Sequence, residues 1–441
     1  MRLIRLLKYD LAREAAEWVD EGLIGEPEAE RICRRYGVDY HQAQRHSFGY
    51  SVLTGLGYLF IGLALITLLG ANWDSIPRGL RMGGLIALTA ATQWLGLRHY
   101  CGGDRSGGVG LFLLGNLFFG ASIILIAQIY HLGEHMPDGI FWWALGCVPF
   151  ALLTRNPWLA LQAHLLALLW FFLQLAYGFY PALFPLFIAA SVYVLWRGPP
   201  SATLLLVVLA SIGFWVEYSL AAFWRETKAF FLFDLRAESF AVAAGLFIVL
   251  AFFARWLNGH AASRARDYAA LIGVWCLRFT LVLLLVMSFA QPWQALLQAD
   301  WTHLWSMGLV LAALAAVTLV LARRSGAVPA VPAALALLAA LWLPLLAVLV
   351  SRNPEHAVVF QVLANLALVG SGIWLILRGI NSGTSQYFFV GVAAVLLCAL
   401  LRYFDLIGDY VGGAVLFAVF AVLLLGAARF WKRHQREEGG Q

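Results

Sequence analysis

From Phe48 onward the chain is a succession of long apolar runs separated by short polar joints. About fourteen such segments are legible, centred near residues 59, 88, 118, 146, 166, 188, 211, 247, 280, 312, 340, 367, 394 and 421. A run of about twenty apolar residues matches a hydrocarbon core of about 30 Å at about 1.5 Å of helical rise per residue. The runs do not alternate apolar with polar, as lipid-exposed β-strands would. The pattern predicts an all-α polytopic integral membrane protein. Pro149 interrupts the segment near 146, and Pro181 and Pro185 that near 188.

Residues 1–47 read differently. Leu3, Leu7, Leu11, Ala15, Trp18 and Val19 recur at helical spacing with charges between them. Gly22 and Gly25 end that helix, and Pro27 stands at a first-turn position for a second one closing near Tyr36–Gly37. The division expected is a cytoplasmic N-terminal helical hairpin (1–47), a transmembrane bundle (48–431) and a cytoplasmic basic and polar tail (432–441). The hairpin is either a cap on the bundle or an element that docks a cytoplasmic partner or lies on anionic lipid.

Composition agrees with the pattern. The chain is 62% hydrophobic and 12% charged, against about 45–50% and about 25% in soluble domains. Charge adds the orientation. With the N-terminus inside, 22 of the 30 Lys and Arg fall in cytoplasmic segments, as positive-inside topology requires. This supports an even number of spans with both termini inside. The net charge of +6 therefore belongs to topology and calls for no nucleic acid. The bilayer itself is the partner expected. Five scattered Cys, without a CxxC pair, point to neither a disulfide framework nor a metal centre.

Thr154-Arg155-Asn156-Pro157 and Ser351-Arg352-Asn353-Pro354 lie 197 residues apart. That shift overlays several segments, sets His164 over Gln361 and reverses membrane sense, the mark of a seven-plus-seven inverted repeat of the transporter kind. Evenly spaced helices also align under many shifts, so chance similarity stands beside this reading.

Several residues are candidates for ligand contact. Arg278 lies near the centre of its segment, where an Arg costs a few kcal/mol or more unless it faces the interior or water; Glu217 is its nearest candidate acid. Asn116, His164 and Asn365, with Gln162 and Gln361, also fall within spans, where such groups serve either as interhelical glue or as a translocation path. Gln128, Tyr130, His131, Glu134 and Asp138 crowd the joint after the third segment. His131-x-x-Glu134-His135 has the letters of a zinc-peptidase motif, but Gly133 and Pro137 spoil the helix that chemistry needs, and no metal is expected. Asn72, Trp73 and Asp74, with Arg402, Asp405 and Asp409, complete the set on the outer face. No phosphate loop, dinucleotide fingerprint or serine elbow is present, so no cofactor and no catalytic residue is assigned.

The chain resembles the predicted bacterial membrane proteins grouped as domain of unknown function 2157. The likeness rests on Trp18…Gly22-Leu23-Ile24, on Ala71-Asn72-Trp73-Asp74-Ser75-Ile76-Pro77, on Ala127-Gln128-Ile129-Tyr130-His131-Leu132 and on Trp143-Ala144-Leu145-Gly146, and more loosely on Arg402-Tyr403-Phe404-Asp405. It implies a bacterial inner-membrane protein with a cytoplasmic N-terminal region and supplies no activity. The functional expectation is a transporter or flippase-like permease for an envelope or small polar substrate. The alternatives are a non-catalytic scaffold or sensor with a partner-binding hairpin, and a membrane-embedded envelope enzyme.

Overall fold

A computed structural model describes residues 77–130, 136–224, 236–326, 329–383 and 385–405 continuously, residues 21–35, and scattered positions elsewhere. All the elements in these residues are helical: α1 (Glu26–Arg35), α2 (Arg78–Cys101), α3 (Arg105–Tyr130), α4 (Met136–Thr154), α5 (Pro157–Ala176), α6 (Phe184–Arg197), α7 (Ala202–Phe223), α8 (Ala237–Asn258), α9 (Ser263–Met287), α10 (Ala290–Gln298), α11 (Leu304–Arg324), α12 (Ala330–Ser351), α13 (Ala357–Ser382) and α14 (Ser385–Asp405). Ten helices among the described residues are long and apolar enough to cross a membrane, and the chain is an all-α polytopic membrane protein. Twelve of the segments read from the sequence coincide with helices. Those near 59 and 421 lie largely outside the described residues.

The helix near 188 departs from a full span. α6 has 14 residues, about 21 Å of rise, because Pro181 and Pro185 hold the preceding chain out of helix and Pro185 enters only in the first turn. α10 is a further short helix between two spans, and Trp293 on it stacks on Phe360 of α13 at 5.0 Å.

The chain divides into two compact units. One comprises residues 1–239 and 256–271, the other 240–255 and 272–441. In the first, aromatic side chains fill the core: Phe171 packs against Phe184 at 4.5 Å and against Tyr218 at 5.8 Å. Near its N-terminus Ala15, Ala29, Cys33 and Tyr40 are buried together, with Trp18, Val19 and Ile24 against them. Gly22, at φ +73°, makes the left-handed turn before α1.

In the second unit α13 and α14 approach through glycines. A Cβ at Gly379 would stand 2.5 Å from the Phe388 backbone nitrogen, and one at Gly372 would stand 2.7 Å from the Val395 side chain. Leu281, Leu368, Leu375 and Cys398 form a core there. Where α9 gives way to α10, Asn365 donates to the Ser288 carbonyl at 3.1 Å and to its own Gln361 carbonyl at 2.8 Å, while its Oδ1 accepts from the Cys398 thiol at 3.3 Å.

The two near-identical tetrapeptides make the same turn. Arg155 and Arg352 are the non-glycine residues with positive φ, at 52° and 43°. The following Asn is a helix N-cap each time: Asn156 Oδ1 accepts from Trp158 N at 2.9 Å, and Asn353 Oδ1 accepts from Glu355 N at 3.0 Å. Pro then occupies the first helical position, where no N–H is needed.

Gly379→Leu is expected to destabilise the protein by about 1–3 kcal/mol, the usual cost of overpacking, because the clash is with backbone. Gly370→Ala, with open space around it, is expected to leave the thermal midpoint unchanged or slightly raised. Thermal unfolding in detergent, followed by loss of the monodisperse peak, reads both. Alkylation gives a second check: exposed Cys101 is expected to react quickly, and Cys33 only after unfolding, since it is buried and burial pushes its thiol up.

Candidate functional site

The polar groups of the first unit are gathered by helix–helix contact rather than scattered over its surface. The close approach of α2 and α3 starts the arrangement. A Cβ at Gly115 would meet the Gln93 side chain at 2.7 Å, and one at Gly108 would meet Tyr100 at 2.8 Å, so glycine is what lets the amides reach across. Gln93 Nε2 donates to Asn116 Oδ1 at 3.0 Å, and Asn116 Nδ2 donates to Gln162 Oε1 on α5 at 2.8 Å. Gln162 Nε2 returns to the Leu113 carbonyl at 3.1 Å. The indole of Trp143 on α4 donates to the Asn116 carbonyl at 2.7 Å, and Gly120 leaves the space in which that indole sits. Four helices are thus tied by one amide ladder. Asn116 is 1% exposed. Apart from Gln93 Oε1, which is buried without a partner, the amides of this ladder answer one another, and its chemistry is that of packing.

Two residues further along α5 the character changes. His164 is fully buried. Its Nδ1 lies 2.8 Å from Ser191 Oγ on α6, and its Nε2 lies 2.8 Å from Ser211 Oγ on α7. Ser211 donates its own proton to the Val207 carbonyl at 2.7 Å. Its oxygen is therefore the acceptor for the Nε2 proton, and in the neutral ring Nδ1 accepts from Ser191. One imidazole bridges three helices, with its tautomer set by a backbone carbonyl. Phe184 flanks the ring at 6.0 Å.

His164 and Ser191 also face a small void of about 10 Å³, lined mainly by Val148, Ala151, Ala160 and Ala163. Small side chains on α4 and α5 make the space. A water needs about 10–15 Å³, so the void holds at most a single water in this conformation. By helical rise it lies about 10 Å from the start of α5, on the membrane side where Thr154 and Arg197 end their helices.

The remaining candidates fall apart from this centre. Asn365 belongs to the second unit and has its hydrogen bonds made. Arg278, expected to face the interior or water, is exposed on α9, with its guanidinium over the Trp275 ring at 5.3 Å, a cation–π contact that offsets part of the cost of its depth. Glu217, its expected partner, has both carboxylate oxygens buried without a hydrogen bond. Arg402 lies over the Phe289 ring at 5.0 Å. Gln128 and Tyr130 end α3 and Asp405 ends α14, while Asp138 is exposed in the first turn of α4. Asn72, Trp73, Asp74, His131, Glu134, His135 and Asp409 lie outside the described residues. No group of three or more His, Cys, Asp or Glu able to hold a metal occurs among the described residues.

Sequence reasoning singled out His164, Asn116 and Gln162 but not Gln93, Ser191 or Ser211. A serine inside an apolar helix carries little signal, since it ordinarily bonds the carbonyl four residues back, as Ser211 also does.

Residues 16–160 match the family model of a predicted membrane protein, domain of unknown function 2157. The match covers the stretch on which the sequence resemblance mainly rested, and it includes the amide ladder up to Trp143 but stops short of Gln162 and His164. No curated protein and no solved structure matches the chain.

Asn116→Ala is expected to cost about 1–2 kcal/mol, since interhelical bonds in membranes are worth about 0.6 kcal/mol each and two amides are left unpaired. Combined with Gln162→Ala the losses should be less than additive, because the two share a bond. Thermal midpoints of the single and double variants measure this.

Proposed function

We propose that the chain is a membrane permease for a small polar solute, with His164 and Ser191 as its polar contact inside the membrane. The observation that carries the reading is the buried imidazole held between Ser191 and Ser211 at the wall of a small void within spanning helices. An ionisable side chain within a span is costly and is a functional candidate by default, and this one stands beside a small void that a polar solute enters only if the helices part. The amide ladder supplies the rigid frame against which α6 and α7 close the site. The orientation proposed has both termini in the cytoplasm of a bacterial inner membrane, with the hairpin of residues 1–47 on the cytoplasmic face as a cap or a partner-docking element.

The reading predicts that the void opens to water during the working cycle. In a chain with its five cysteines replaced, Ser191→Cys is expected to react with a small, charged, membrane-impermeant thiosulfonate applied to one face of oriented vesicles. Leu204→Cys, in a fully buried position on α7, should remain unlabelled. A Ser191→Cys protein that inserts normally yet is inert from both faces would rule out a water-accessible site at His164.

A further inference from the structure

Glu217 is the one acidic residue of α7, and it has no obvious counter-charge. The residue is half-buried, but both its carboxylate oxygens are shut off from the surface and make no hydrogen bond. The Ser239 hydroxyl, on the first turn of α8, stands next to the carboxylate, just outside hydrogen-bonding geometry. Ser239 is 3% exposed, and its oxygen is also without a partner.

The surrounding charges do not resolve this. Arg236 and Glu238, at the start of α8, each have partners. α5 carries no Asp, Glu, Lys or Arg, and α6 carries only Arg197 at its far end. Near Glu217 those two helices offer aromatic side chains, and the Tyr180 phenol just before α6 is bonded to Ser219 at 2.7 Å. Among the described residues an ionised carboxylate in such a place has no cation to balance it, and its oxygens are shut off from the surface. Three oxygens, two from Glu217 and one from Ser239, are too few to strip and hold an alkali-metal ion. They suffice for a proton, which needs one lone pair on the carboxylate and a hydroxyl to receive or return the hydrogen bond.

We propose that Glu217, with Ser239 as its hydrogen-bond partner, is an exchangeable proton-binding site within the membrane. In the binding step one O–H bond forms on the carboxylate as hydronium returns to water, and no other bond changes. This site stands on different residues from the His164 void and does not depend on the permease reading.

The test uses the full chain in lipid vesicles and dicyclohexylcarbodiimide, an apolar reagent that adds to protonated carboxyls and remains as an N-acylurea. Mass spectrometry of fragments locates the adduct. The expected result is an adduct on Glu217 that declines as the buffer goes from mildly acidic to alkaline, is lost in Glu217→Gln, and is not formed by a membrane-impermeant carbodiimide. Replacing choline chloride with sodium chloride should leave it unchanged, and Ser239→Ala should shift its pH midpoint. An adduct located on Glu238 instead, labelling that ignores pH, or no labelling of Glu217 in the wild-type chain overturns the proposal. Protection by sodium overturns it in favour of a metal-cation site. Because the main readout is on the wild-type chain, a poorly folding variant does not decide the matter. Failure here would leave the cysteine-labelling result at Ser191 untouched.

Discussion

Inside hydrocarbon there is no water to finish a hydrogen bond, and this constraint shapes the described structure at every level. It dictates helices, since these satisfy the backbone within one segment. It then dictates what happens wherever a helix ends or carries a polar side chain. At Asn156 and Asn353 a side-chain oxygen replaces the missing carbonyl partner, and a proline removes one N–H from the account. At the break between α9 and α10, Asn365 reaches over to the Ser288 carbonyl. Deeper in, Gln93, Asn116 and Gln162 answer one another across three helices. Such contacts are individually weak in membranes, but an amide left alone there costs more than a bond gains, so they act as a lock on register.

The same constraint separates structural polar groups from candidates for function. A group whose bonds are all made inside the packed helices gives no reason to look further. Asn116 and Asn365 are of that kind, although their depth alone made them candidates for a path. His164 is satisfied too, but by two hydroxyls and beside a small void. Glu217 lies at the other extreme, with its oxygens buried and unanswered. Arg278 is a third case, exposed over an aromatic ring, where its charge is met by the face of Trp275 rather than by an acid.

The helical architecture was largely legible from periodicity and length, whereas the two tetrapeptides, noticed only as a repeat, turn out to be caps followed by a first-turn proline. The short α6 was hinted at by its two prolines. What sequence could not supply was the azimuth of polar residues on uniformly apolar helices. An amphipathic helix announces its buried face, but α3, α5 and α7 are apolar all round, so nothing in their letters says which neighbour Asn116, Gln162 or Ser211 will face. For Arg278 the cost of an isolated charge left interior and water both open, and Trp275 one turn back on the same helix was not weighed. Ser191 and Ser211 were invisible because a serine has a local solution available. The joint around His131 carried the richest set of letters and lies outside the described residues, so its role rests on sequence alone.

α7 connects the two centres. It carries Ser211, which bonds His164, and Glu217, six residues on, about 9 Å along the axis by helical rise. One helix thus holds a polar group that is answered and one that is not. The difference lies in what each side chain can reach. Ser211 reaches the Val207 carbonyl of its own helix as well as the imidazole. The two oxygens of Glu217 reach neither a donor nor the surface, and hydrocarbon offers no water to make up the loss.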